Sequence, residues 1–85
     1  MKKLYIGLMM VRAIGCVEQI RGKKMLIVRV DAANLPKLYC TVIDRKWNPI
    51  GKLVEIFGNI SAPYAAVICT TSDCTALIGE KVFMK

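Results

Sequence analysis

No histidine occurs among the 85 residues of this chain. That removes the side chain that titrates nearest neutral pH and performs most general acid-base chemistry. Carboxylates are also scarce: there are six Asp and Glu in all, and Asp31, Asp44 and Glu55 are separated by turn signals and sit among basic neighbours. Such residues read as solvated surface groups rather than a catalytic pair. Gly51 and Gly58 are not followed by the lysine and hydroxyl of a phosphate-cradling loop, so a nucleotide-binding motif is absent. The longest apolar stretch before Arg12 runs only from Leu4 to Val11, too short for a membrane-spanning helix. Repeats, low-complexity tracts and linkers are missing as well. Together these absences point away from an enzyme acting alone. The expectation is a chain with no catalytic residue, no cofactor, no metal, no small-molecule substrate and no membrane partner.

The four cysteines, Cys16, Cys40, Cys69 and Cys74, do not form the two close pairs from which a tetrahedral zinc site is usually assembled. Only Cys69 and Cys74 are near one another. Small apolar residues buried in strands are the simplest reading of all four.

What the chain has in abundance is apolar side chains. Ala, Val, Ile, Leu, Met, Phe, Trp, Cys and Gly supply 50 of its 85 residues, whereas soluble domains average about 45–50% of these types. A body this small buries only about 60% of its unfolded surface. The excess predicts an exposed apolar patch, which in a soluble protein marks a partner interface. The net charge is +7, a balance that draws a protein toward polyanions such as RNA. Its cations are nevertheless spread out, with doublets only at Lys2-Lys3, Lys23-Lys24 and Arg45-Lys46, and a solvated surface accounts for them.

Valine and isoleucine recur in short segments between turn signals, the pattern of an all-β domain. Strands are expected near Ala13 to Ile20, Met25 to Asp31, Leu38 to Asp44, Ile50 to Phe57, Tyr64 to Thr70 and Lys81 to Met84. The polar link Arg21-Gly22-Lys23-Lys24 suits a hairpin. In the second strand, alternation sets Leu26, Val28 and Val30 on one face and Met25, Ile27 and Arg29 on the other. Both faces are largely apolar, which fits a strand covered on both sides. Gly51 predicts a bulge or a close backbone approach, and Thr71-Ser72-Asp73 can start one helical turn through Leu77. Six short strands leave a sandwich or a closed barrel, and closure is the economical way to remove exposed edges.

The opening "MKKLYIGLMMVRAIGC" resembles a lipoprotein export signal, but Arg12 interrupts its apolar segment. Residues 1–12 are therefore read as an apolar extension before a single domain at 13–85. Phe57 and Tyr64 bracket a turn containing Gly58 and Pro63. They suit a plug at a barrel end, bases stacked beside Lys52 and Lys46, or anchors of a protein interface.

One long stretch carries a resemblance. "VIDRKWNPIGKLVEIFGNISAPYAAV" resembles the central signature of the Gar family, the small β-barrel accessory subunits of box H/ACA ribonucleoproteins: a V-x-D turn, then I-G-x-V, D-I-F-G-P-V and P-Y. "AIGCVEQIRGKKMLIVRV" is similar to that family's opening strands, "LPKL" to its P-x-L link and "LIGEKVFMK" to its closing strand. Asn59 stands where the family has a proline, and Glu55 where it has an aspartate. The likeness is to the archaeal-type core, without glycine-arginine-rich tails.

The resemblance implies a six-stranded Greek-key barrel of the translation-factor and reductase type. It also implies a cytoplasmic, non-catalytic subunit of an RNA-guided pseudouridylation particle that acts on rRNA in ribosome biogenesis. The subunit would dock on the catalytic domain of the pseudouridine synthase, meet guide RNA only indirectly, and aid substrate loading and release. Docking falls to the matching residues Ile50, Gly51, Ile56, Phe57, Gly58, Pro63 and Tyr64. The alternative is a small-barrel RNA-binding module.

Overall fold

A computed structural model describes residues 11–85. The strands are β1 (Arg12–Arg21), β2 (Met25–Val30), β3 (Thr41–Ile43), β4 (Pro49–Asn59), β5 (Ala62–Cys69) and β6 (Lys81–Met84), with one short 3₁₀ turn, η1 (Cys74–Leu77), between β5 and β6. They close into an antiparallel barrel in the order β1-β2-β5-β4-β3-β6. β3, β4 and β5 form a meander, and β2 returns to lie beside β5, which is a Greek key. The all-β class and the closed six-stranded barrel are those expected, and closure leaves no open sheet edge.

The interior is filled by alternate residues. Leu26, Val28, Leu53, Ala65, Val67 and Val82 are all fully buried, joined by Val17, Val42 and Ile50. Among the described residues no polar or charged side chain is buried with them. Gly51 faces Cys69 across the β4–β5 ladder, where a Cβ would collide with the Ile68 carbonyl group. The close backbone approach expected there is present, and the β3–β4 register shifts beside it, at Ile50.

β3 is much shorter than the segment Leu38 to Asp44 that composition suggests. Tyr39 holds a left-handed backbone at φ 66°, which ends extended structure before Thr41, and Asp44 is drawn into the next loop. β1 begins at Arg12, which pairs with Met84, one residue before the expected domain start. Val11 precedes it, and residues 1–10 of the N-terminal extension lie outside the described residues.

The reading of four buried thiols needs correction. Cys69, at the end of β5, and Cys74, at the start of η1, form a disulfide, whereas Cys16 is exposed and Cys40 half-buried in the loop before β3. The turn through Thr71 brings two side chains five residues apart onto the same end of the barrel. Cys16 points outward because it sits opposite Arg29 and Lys81 on the outer side of β1. Burial raises the Cys40 thiol above its ordinary value.

Candidate protein-docking face

The outer surface of β1, β2, β5 and β4 is laid out by strand register. Phe57, Tyr64, Arg29 and Cys16 make one row across the four strands; Glu55, Ala66, Ile27 and Gln19 a second; Lys52, Ile68, Met25 and Arg21 a third. The middle columns, on β5 and β2, are mostly apolar and the flanks polar. Ile27 and Ala66 are only 4% exposed although they lie outside the interior cluster. Ile68 is open, and Met25, Phe57 and Tyr64 are half-buried. A shallow depression of about 290 Å³ runs between Arg21, Met25, Ile27, Glu55, Phe57 and Ala66.

A bulge decides which way Phe57 points. On β4, Gly51 and Leu53 face inward, and strict alternation would carry Glu55 and Phe57 inward too. The register shift between Leu53 and Glu55 leaves Val54 as the extra residue and reverses the parity beyond it. Ile56 then packs on the core and Phe57 turns outward, opposite Tyr64. The two rings stack with centroids 6.0 Å apart and planes inclined by 26°. The reading of these aromatics as a plug for the barrel end is therefore corrected: Ile56 and the buried Pro63 occupy that inward position.

Arg29 completes the row. Its guanidinium lies 5.8 Å from the centre of the Tyr64 ring, Nη2 donates to the Tyr64 hydroxyl at 3.4 Å, and Nε meets the Glu18 carboxylate at 2.8 Å. The Tyr64 hydrogen bond and then the Glu18 charge raise the guanidinium's already high proton affinity, so it remains a cation held over an aromatic face.

The structure divides the seven residues singled out from the sequence. Phe57, Gly58, Pro63 and Tyr64 meet at the β4–β5 hairpin, where Phe57 faces Tyr64 and Gly58 faces Pro63. Gly58 takes φ 98°, a conformation that glycine adopts without strain. Ile50 and Gly51 lie toward the other end of β4, about 23 Å away at the usual strand rise. Ile50, Gly51 and Pro63 are buried, so they offer no side-chain surface in this state and act by holding the strands. Met25, Ile27 and Ile68, which share the face, lie outside that group. The outward alternation of β2 is the sequence signal that marks two of them.

Among the described residues no three Cys, Asp or Glu side chains cluster as a metal site requires, and no helix is long and apolar enough to cross a membrane. The chain matches no protein-family model, and no curated protein is similar enough to count as a relative.

Proposed function

We propose that this barrel is a non-catalytic docking subunit of a box H/ACA-type pseudouridylation particle that binds the catalytic domain of the pseudouridine synthase. The observation that carries the reading is the stacked Phe57–Tyr64 pair, turned outward by the Val54 bulge and set at the edge of an apolar strip formed by Ile27, Ala66 and Ile68. Aromatic side chains that a partner can desolvate are frequent energetic anchors of a protein interface. Support also comes from the four sequence segments that resemble the Gar family in order, and from a closed six-stranded barrel of the kind that resemblance implies.

In this reading Phe57 and Tyr64 supply the contact area and Gly58 sharpens the turn beside them. Ile56 and Pro63 fix the hairpin from within, while Ile50 and Gly51 set the packing of β4 on β5. The subunit acts without touching the chemistry. A rigid barrel that contacts one position of a mobile synthase loop better than another shifts that loop's equilibrium, and so changes how fast substrate RNA loads and product leaves. Its place is the cytoplasm, and guide RNA is met through the synthase.

Titration of the purified synthase with this chain tests the proposal. Replacement Phe57→Ala is expected to weaken binding by about 1 kcal/mol or more, the scale of an interface anchor. Wild-type affinity in a folded variant would overturn it.

A further inference from the structure

On the side of the barrel opposite β5, the outer surface of β3 and β6 carries a second constellation with no part in that docking reading. Ile43 and Phe83 pair across the two strands on the side away from the interior cluster, Ile43 fully covered there and Phe83 half-buried. With Val11, Asp44, Arg45 and Trp47 they line a depression of about 320 Å³. Trp47 is the chain's single tryptophan and is 47% exposed.

The loop that presents it is tied to itself through Asp44. The Asp44 carboxylate accepts from the backbone N–H of Lys46 at 2.8 Å, from that of Asn48 at 2.9 Å, and from the Asn48 side-chain amide at 3.3 Å. The Trp47 N–H donates to the Asp44 carbonyl at 3.1 Å. This geometry places Trp47 at φ 71°, the left-handed position that hairpin loops of this length usually give to glycine. A bulky residue there is strained. A glycine would close the same loop with less strain, so loop closure does not explain the indole.

The neighbouring charges supply the explanation. Arg45 and Lys46 directly precede Trp47, and the Arg45 side chain is 71% exposed with one distant carboxylate, Glu80 at 4.0 Å. Lys81 lies two residues before Phe83, on the same outer side of β6. The Asp44 carboxylate opposes this positive charge but is turned into its own loop. Next to the apolar depression, and sharing Asp44 and Arg45 with it, is an open polar one of about 590 Å³ that includes Lys46, Asn48, Leu77 and Glu80.

We infer that the β3–β4 loop is a contact site for single-stranded RNA, with a base stacked on the exposed Trp47 beside Phe83 and the flanking phosphates held by Arg45 and Lys46. An exposed aromatic beside cations is an arrangement that suits single-stranded nucleic acid, since every base has a π-face and every link carries a negative charge. The net charge of +7 favours the same partner. This contact is direct and needs no synthase, so it stands or falls apart from the docking proposal.

The test uses the full chain alone and a labelled oligouridylate of about ten nucleotides, within the range of single-strand site sizes. Binding is read by anisotropy of the RNA and by quenching of the lone tryptophan. Expected are saturable quenching at about 50 mM salt, and an affinity that falls steeply by about 200 mM. Trp47→Gly should lower affinity about tenfold or more while circular dichroism shows an unchanged fold. Arg45→Ala with Lys46→Ala should keep the quenching at saturation and flatten the salt slope by about 1.4, two phosphate contacts on a single strand. Absence of quenching at low salt, equal affinity of the Trp47→Gly chain, or quenching by the synthase but not by RNA would each overturn the assignment.

Discussion

The two outer faces of this barrel are built from the same kinds of residue by opposite means. On the β2–β5–β4 side the aromatics belong to long, regular strands: Phe57 and Tyr64 face each other in register, and their orientation depends on one bulge. On the β3–β6 side Phe83 belongs to a strand, but Trp47 lies on the loop between β3 and β4, in a strained conformation that Asp44 holds by hydrogen bonds. The first face is broad, mostly apolar and only partly open. The second is narrow, with an exposed indole next to Arg45 and Lys46. The comparison teaches that a small closed barrel can separate two kinds of recognition, a sheet surface suited to a folded partner and a loop suited to a flexible polyanion.

A change in the shared interior should abolish that separation, and it carries the largest expected effect. Leu53→Ala empties a fully buried position and should cost about 2–5 kcal/mol. Loss of both synthase and RNA binding in parallel with thermal stability would show one cooperative core beneath both faces. Survival of either face after the melt would show two independent units.

The disulfide sharpens the comparison from one end. Cys69–Cys74 fastens η1, whose Leu77 lines the polar depression beside the Trp47 loop. Closing so short a loop contributes about 2 kcal/mol in the chain-entropy account. Reduction should therefore lower stability by that amount and disturb the loop face more than Phe57 and Tyr64. Denaturant midpoints with and without reductant, together with both binding assays, check this.

How much of this was legible in the sequence differs between the faces for the same physical reason. Alternation in β2 marked Met25, Ile27 and Arg29 as outer residues, and the turn signals located all six strands, because a two-residue period is written directly into composition. The reversal at Val54 was not legible, since a bulge changes parity without changing residue type, and so a barrel-end plug stood beside a base stack and an interface anchor as readings of Phe57. Nor was the Cys69–Cys74 bond, because a spacing of five leaves open whether the intervening turn brings the two thiols together. The shortness of β3 and the strain at Trp47 come from left-handed residues at Tyr39 and Trp47, whose conformation is set by the bonds around them rather than by their own preferences. Ile50 and Gly51 carry part of the resemblance to the Gar family, and both are buried near the far end of β4 from Phe57.

Smaller effects separate the loop's strain from its role. Trp47→Gly should leave stability within about 1 kcal/mol of wild type, because relief of the left-handed strain offsets the added freedom of the unfolded chain. A clearly larger loss on denaturation would mean that the indole is a packing element.

The smallest expected effect concerns Asp44. Desolvation pushes its carboxyl up, but the N–H groups of Asn48 and Lys46, with the Asn48 amide and the Lys46 charge, outweigh it and leave the group below the ordinary aspartate value. Stability linked to a depressed carboxyl is fully present above the unfolded value of about 3.9 and is lost as pH falls through the lower folded value. Tryptophan emission should hold steady down to about pH 4 and change below it. In Asp44→Asn that acid transition should vanish, at a cost of about 1 kcal/mol or less.

The most direct test of the central proposal is the dissociation constant for the purified synthase catalytic domain, measured for wild type and for the double replacement Phe57→Ala, Tyr64→Ala. Docking through the sheet face predicts a loss of about tenfold or more in the double variant, with Trp47→Gly binding as wild type does. Equal affinity for a folded double variant, or no binding by the wild-type chain, would contradict it.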